Sequence, residues 1–125
     1  MSTPRSLLPQ VAAVPSNRFL AAIVESSDDA IIGKTLDGVI TTWNAGASRL
    51  YGYSRNEAIG RHASFLYPPG RKEEIDAVLQ NVRAGRPIDR LETQRLRNDG
   101  TLVDVSVTFS PIIDASNNIV GVSGI

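Results

Sequence analysis

The sequence predicts an α+β domain, a small antiparallel sheet with helices packed on one face, and three observations carry that reading. The Asp37-Gly38 turn joins an apolar run that starts at Ala30, Ile31 and Ile32 to a β-branched return from Val39 to Trp43, the pattern of a tight hairpin. Val103, Val105, Val107 and Phe109 alternate with Asp104, Ser106 and Thr108, the period of a strand with one buried face. Between Arg71 and Ala84, the residues Ile75, Val78, Leu79 and Val82 recur at helical spacing. A chain of 125 residues with 42% hydrophobic content buries one core and has no room for a second.

In chain order, Met1 to Ser16 stands apart. Pro4, Pro9 and Pro15 interrupt it, while Leu7, Leu8, Val11 and Val14 give it a short apolar stripe, so it reads as a flexible arm or a broken helix. Asn17 to Ser26 is helical, with Phe19, Leu20, Ile23 and Val24 on one face expected to lie on the sheet. After the hairpin, Asn44 can cap a helix from Ala45 to Tyr51, because its side-chain oxygen accepts from amides one turn on. Gly52 closes that helix. Ser54 and Glu57 have capping-box spacing for the next, and Gly60 ends it. Pro68-Pro69-Gly70 breaks the chain before the long helix from Arg71 to Ala84, which stops at Gly85.

Three strands follow, Asp89 to Arg97, Leu102 to Ser110 and Ile119 to Ile125, with turns at Asn98-Asp99-Gly100 and Asn117-Asn118. Parity leaves the first of these open: Leu91, Thr93 and Arg95 share one face, and Glu92, Gln94 and Leu96 share the other. The last strand reaches Ile125, where a domain would normally continue into a linker. The chain is therefore expected to be a fragment of a longer protein, an arm over residues 1–16 followed by one domain over 17–125, with linker and effector beyond it.

Several function classes are disfavoured by composition. Formal charge sums to zero, which gives no whole-chain attraction to nucleic acid or an anionic membrane. Cysteine is absent, and with it disulfides, thiolate metal sites and cysteine nucleophiles. No apolar run reaches the roughly 20 residues of a membrane helix and no signal-peptide core opens the chain, so the expected location is cytoplasmic without membrane insertion. One histidine and no G-x-S-x-G elbow give no hydrolase triad. Arg71-Lys72-Glu73-Glu74 reads as a solvated helix start, and Asp28-Asp29 and Asp37 sit at turns without calcium-loop spacing. Gly33-Lys34-Thr35 lacks the preceding glycine of a phosphate loop. Neither an enzyme nor a metal site is expected.

The Trp43-Asn44 pair after a strand, then Gly52-Tyr53-Ser54 and Glu57-Ala58-Ile59-Gly60-Arg61, followed in order by Asn98-Asp99-Gly100 and Ile119-Val120-Gly121, resembles a PAS sensor domain over roughly Asn17 to Ile125. The resemblance implies a five-stranded antiparallel sheet in the order 2-1-5-4-3, cupping helices around a small pocket. Gly60 to Leu66 is similar to the motif of the flavin-binding, light-sensing branch, but Ala63 stands where that branch has its reactive cysteine. Val105 and Ser123 fall where it holds the flavin with amide side chains, so flavin is disfavoured. Haem is disfavoured as well. In the haem-binding branch the iron ligand directly precedes an aspartate on the long helix, and here Ile75 precedes Asp76, while the lone His62 lies elsewhere.

Two readings of function follow from the resemblance. In the first, Phe65, Leu66, Ile75, Leu79, Val103, Val105, Val107 and Phe109 enclose a small apolar molecule held without a covalent bond, a fatty acid being the concrete candidate, with Arg61, His62 or Arg95 as its polar contacts. Occupancy would then be relayed to an effector in the same chain: a histidine kinase, a cyclic-dinucleotide enzyme, or a phosphatase and kinase set controlling a sigma factor. In the second, the same residues fill a core and the domain is a ligand-free dimerisation or interaction module. A homodimer through Leu7, Leu8, Val11, Val14, Phe19, Leu20 and Ile23 is compatible with both.

Overall fold

The structure, a computed structural model, describes residues 17–125. Leu7, Leu8, Val11 and Val14 of the expected interface lie outside the described residues. In chain order the elements are α1 (Asn17–Ser26), β1 (Ile32–Lys34), β2 (Ile40–Trp43), α2 (Ala45–Tyr51), α3 (Arg55–Ala58), a 3₁₀ turn (Ala63–Leu66), α4 (Glu73–Arg83), β3 (Ile88–Leu96), β4 (Leu102–Ile113) and β5 (Ile119–Gly124). The five strands form one antiparallel sheet in the order β2-β1-β5-β4-β3, as the resemblance implied. First and last strands meet at its centre, with Ile32 opposite Gly124 and Lys34 opposite Val122.

Asn44 joins four segments through one buried amide. Its Oδ1 accepts from the N–H of Ile31 and of Ala47, both at 2.9 Å, and its Nδ2 donates to the carbonyls of Val24 at 2.9 Å and Asp29 at 2.8 Å. The side chain thus caps α2, anchors the end of α1 and fixes the loop into β1, with its hydrogen-bonding capacity filled. Gly46 follows from the same packing, because a Cβ there would collide with the Asp29 carbonyl. Ser54 and Glu57 complete a reciprocal capping box on α3.

Three expectations shift. β4 runs on to Ile113, since it pairs with β5 as far as Ile113 opposite Ile119; Pro111 is tolerated because the β3 pairing ends at Ile88 opposite Phe109. α4 starts at Glu73 because the Arg71 N–H still closes a turn on the Pro68 carbonyl. α1 does not lie across the sheet: Phe19, Leu20 and Ile23 remain 56, 46 and 50% exposed, and the helix is tied down at its C-terminal end through Val24 and Asn44.

The register of β3 on β4 answers the parity question. Thr93 pairs with Val105 and Arg95 with Val103, and directly paired residues share a face. Leu91, Thr93 and Arg95 therefore look inward, and Arg95 is only 3% exposed. The core around them is built from Ile40, Trp43, Tyr51, Tyr67, Val78, Val82, Phe109 and Val122.

Asn44→Ala leaves two amide donors and two carbonyls short of a partner, so it should lower stability by about 3 kcal/mol or more in urea unfolding. A loss under about 1 kcal/mol would show that water replaces the amide freely.

Candidate functional site

β1 presents Ile32 and Lys34 to the interior on alternate residues, and across from them β3 presents Arg95 and β4 presents Val105, Val107 and Phe109. With Leu50 and Tyr51 of α2, and Leu66 and Tyr67 after the 3₁₀ turn, they line a cavity of about 390 Å³. It reaches solvent beside Asp28, Asp29, Asp104 and Ser106, all exposed.

Of the residues expected at a ligand, Leu66, Val105, Val107, Phe109 and Arg95 line this cavity. The others sit elsewhere. Ile75 and Leu79 are buried on the core face of α4 with Val78 and Val82, and Val103 packs half-buried against the core. Phe65 belongs to an aromatic cluster, its ring edge-on to Tyr53 at 4.8 Å and tilted to Trp43 at 6.4 Å. Arg61 lies over the Phe65 ring at 3.9 Å. His62 is exposed, and its Nδ1 accepts from the Ser64 N–H to cap the 3₁₀ turn. Ile32, Lys34, Leu50, Tyr51 and Tyr67 of the lining, and Glu74 as the partner of Arg95, were not selected from the sequence. The spacing of Lys34 two residues after the core residue Ile32 was the available signal for an inward lysine.

The cavity is not purely aliphatic. Arg95 Nη1 lies 2.9 Å from Glu74 Oε1, and the guanidinium sits over the Tyr67 ring at 4.0 Å. The contact is an ion pair by distance, while Nη1 donates hydrogen bonds to the Gln94 carbonyl at 2.9 Å and to Thr93 Oγ1 at 3.5 Å. Thr93 Oγ1 donates to Glu74 Oε2 at 2.7 Å and accepts from Arg71 Nη1 at 3.2 Å. Arg71 Nη1 also lies 3.8 Å from Glu74 Oε2, so Glu74 is shared among Arg95, Thr93 and Arg71. Arg95 Nη2, Glu74 Oε1 and the Tyr67 hydroxyl are buried without a hydrogen-bond partner among the described residues.

Lys34 is the second buried cation, 6% exposed, with its ammonium 4.9 Å from the Phe109 ring centre. No carboxylate pairs with it among the described residues. Burial, reinforced by the Arg95 charge, pulls its pKa down to about 8. Burial likewise raises the Tyr51 phenol and pushes Tyr67 up to about 12, with Arg95 opposing both shifts. Among the described residues no group of three His, Cys, Asp or Glu side chains is placed to hold a metal ion.

A family model for the PAS domain matches residues 28–125, and the chain belongs to the PAS-domain family. The PAS domain of a protein from Colwellia psychrerythraea superposes with a TM-score of 0.77 at 32% identity, covering 86% of this chain and 91% of that one. The dark structure of the blue-light photoreceptor domain Aureochrome1 LOV superposes at 0.69 with 22% identity, over 90% of this chain and 83% of its own, a likeness of fold alone. Two-component system protein A of Emericella nidulans is 41% identical over 78 residues, and the C4-dicarboxylate transport sensor protein DctS of Rhodobacter capsulatus is 31% identical over 99. These matches cover 60 and 78% of the chain but only 11 and 15% of the relatives' lengths. Both relatives are signalling proteins, which supports a sensory and regulatory role for the domain. No helix among the described residues is long and apolar enough to cross a membrane.

Lys34→Met should stabilise the domain. Between pH 8 and 10.5 the unfolded chain keeps a proton on Lys34 that the folded chain has shed, so stability rises with pH across that window. Below pH 8 both states are charged, and the full penalty of burying the ammonium, on the order of 3 kcal/mol at most, is present. The variant should therefore exceed the parent by up to that amount in urea unfolding at pH 7, with the gap closing toward pH 10.5. A variant less stable than the parent at pH 7 would mean that Lys34 is compensated in the folded state.

Proposed function

We propose that this is a cytoplasmic sensory domain that binds a small molecule in the cavity and relays occupancy to an effector elsewhere in the same polypeptide, without turnover of its own. One observation carries the reading: the cavity wall includes Asp29 and Ala30, where α1 leads into the sheet, and Gly124 and Ile125, at the end of β5. A ligand there touches both segments through which a signal would pass. It drives a shift only through unequal affinity for the two states.

The volume bounds the ligand. At about 30 Å³ per water-sized unit, 390 Å³ holds about a dozen non-hydrogen atoms. A medium-chain fatty acid such as octanoate fits within that volume. The name of the Rhodobacter relative adds a C4-dicarboxylate such as succinate as a second candidate of the right size. Ala63 in place of a thiol, and the outward position of His62 at the 3₁₀ turn, favour a colourless ligand over flavin or haem.

Native mass spectrometry of the gently purified domain, run alongside its visible absorption spectrum, tests this. The expected result is a one-to-one complex with octanoate or succinate, and no visible colour. A flavin or haem spectrum, or a domain that binds no small molecule, would overturn the proposal.

A second reading, self-association through α1, is favoured by the exposed Leu20 and Ile23 side chains. Under it, sedimentation should show a dimer that Ile23→Asp weakens at least about tenfold. A monomer at micromolar concentration would exclude it.

A further inference from the structure

We infer that Lys34 and Arg95 together form a carboxylate-recognition site inside the cavity, with the body of the ligand lying along Ile32, Leu66, Val107 and Phe109. The inference rests on the sensory reading above and adds the charge of the ligand to it.

A count of buried charge carries it. Among the described residues two buried cations, Lys34 and Arg95, have one acid beside them, Glu74, whose oxygens are already engaged, Oε1 with Arg95 at 2.9 Å and Oε2 with Thr93 at 2.7 Å and the part-exposed Arg71 at 3.8 Å. What is left over is a buried positive charge. Among the described residues the Lys34 ammonium meets the face of Phe109 and no carboxylate, while Arg95 Nη2 is a buried donor without a hydrogen-bond partner. Buried donors in native proteins meet a protein group, an ordered water or a ligand, and an isolated buried cation is expensive unless an anion joins it.

The acids at the rim do not supply that anion. Asp28, Asp29 and Asp104 are exposed, Asp28 pairs with Arg49 at 3.6 Å, and Asp104 accepts from Gln94 at 3.2 Å. Solvent screens their charges, whereas the two cations within are screened much less. Water alone satisfies donors but leaves the excess charge in place. A carboxylate satisfies both needs: one oxygen can take the Lys34 ammonium and the other the free Arg95 nitrogen. The aliphatic and aromatic remainder of the wall then suits an organic anion with an apolar body more than inorganic phosphate.

Isothermal titration with octanoate, succinate and octanamide, on the parent domain and on Lys34→Met, separates the possibilities. The parent should bind octanoate or succinate at least about tenfold more tightly than octanamide, the ratio expected for one buried charge-assisted hydrogen bond. Lys34→Met should abolish that preference, weakening the carboxylate about tenfold and leaving octanamide within about threefold. Of the two acids, the tighter binder identifies the source of the carboxylate as acyl chain or dicarboxylic acid. Octanamide binding as well as octanoate, or Lys34→Met leaving carboxylate affinity unchanged, would overturn the carboxylate site while the sensory reading stands. Failure of all three compounds to bind would overturn both.

Discussion

The domain is organised around a guanidinium that its sheet holds facing inward. Arg95 occupies a position on β3, opposite Val103, where an aliphatic side chain would complete the core. The fold accommodates it by bringing Glu74 from α4 to within 2.9 Å and the Tyr67 ring to 4.0 Å. Arg71, Thr93 and Glu74 extend this contact into a polar seam between α4 and β3. With Lys34 buried on the other side of the same interior, two like charges flank one space. Both groups call for a polar partner, and the cavity they line leaves room for one.

Much of this was legible in the sequence where the determinants are local. Asn44, the Ser54 and Glu57 pair, and the Asp37-Gly38 turn each specify their structure within a few residues, and all three features are present as read. Alternation in Val103 to Phe109 likewise identified the inward face of β4. The inward face of β3 was not legible, because burying Arg95 requires Glu74, a partner 21 positions earlier on another element. Lys34 escaped notice for a similar reason, since a lysine in a short strand ordinarily faces water and only the pairing of β1 with both β2 and β5 encloses this one. Ile75 and Leu79 were rightly apolar, but the rotation of α4 about its axis turns them into the core, and tertiary packing sets that rotation.

The location of the cations suggests how a bound anion would be felt beyond the cavity. Lys34 is the last residue of β1, and its carbonyl lies so close to Gly121 that a Cβ there would approach to 2.7 Å. β1 and β5 are thus packed backbone to backbone beside the charged group. Neutralising Lys34 would change the force on β5, which ends at Gly124, and the Asn44 amide, bonded to Ile31 and Val24, would carry the same change toward α1. A signalling domain needs such a shared element, since two sites are coupled only through a structure whose equilibrium both of them bias.

The central claim is that Lys34 is a buried ammonium awaiting an anion, and its own titration tests it most directly. The chain has two lysines, so the Lys34 signal is one of two and Lys34→Met assigns it. Heteronuclear NMR of side-chain-labelled lysine should show Lys34 titrating near 8 in the empty domain, lowered by its burial and by the charge of Arg95, and moving upward by at least about one unit when octanoate or succinate is added. Lys34 titrating near the ordinary lysine value of 10.5, with no response to either carboxylate, would contradict the account.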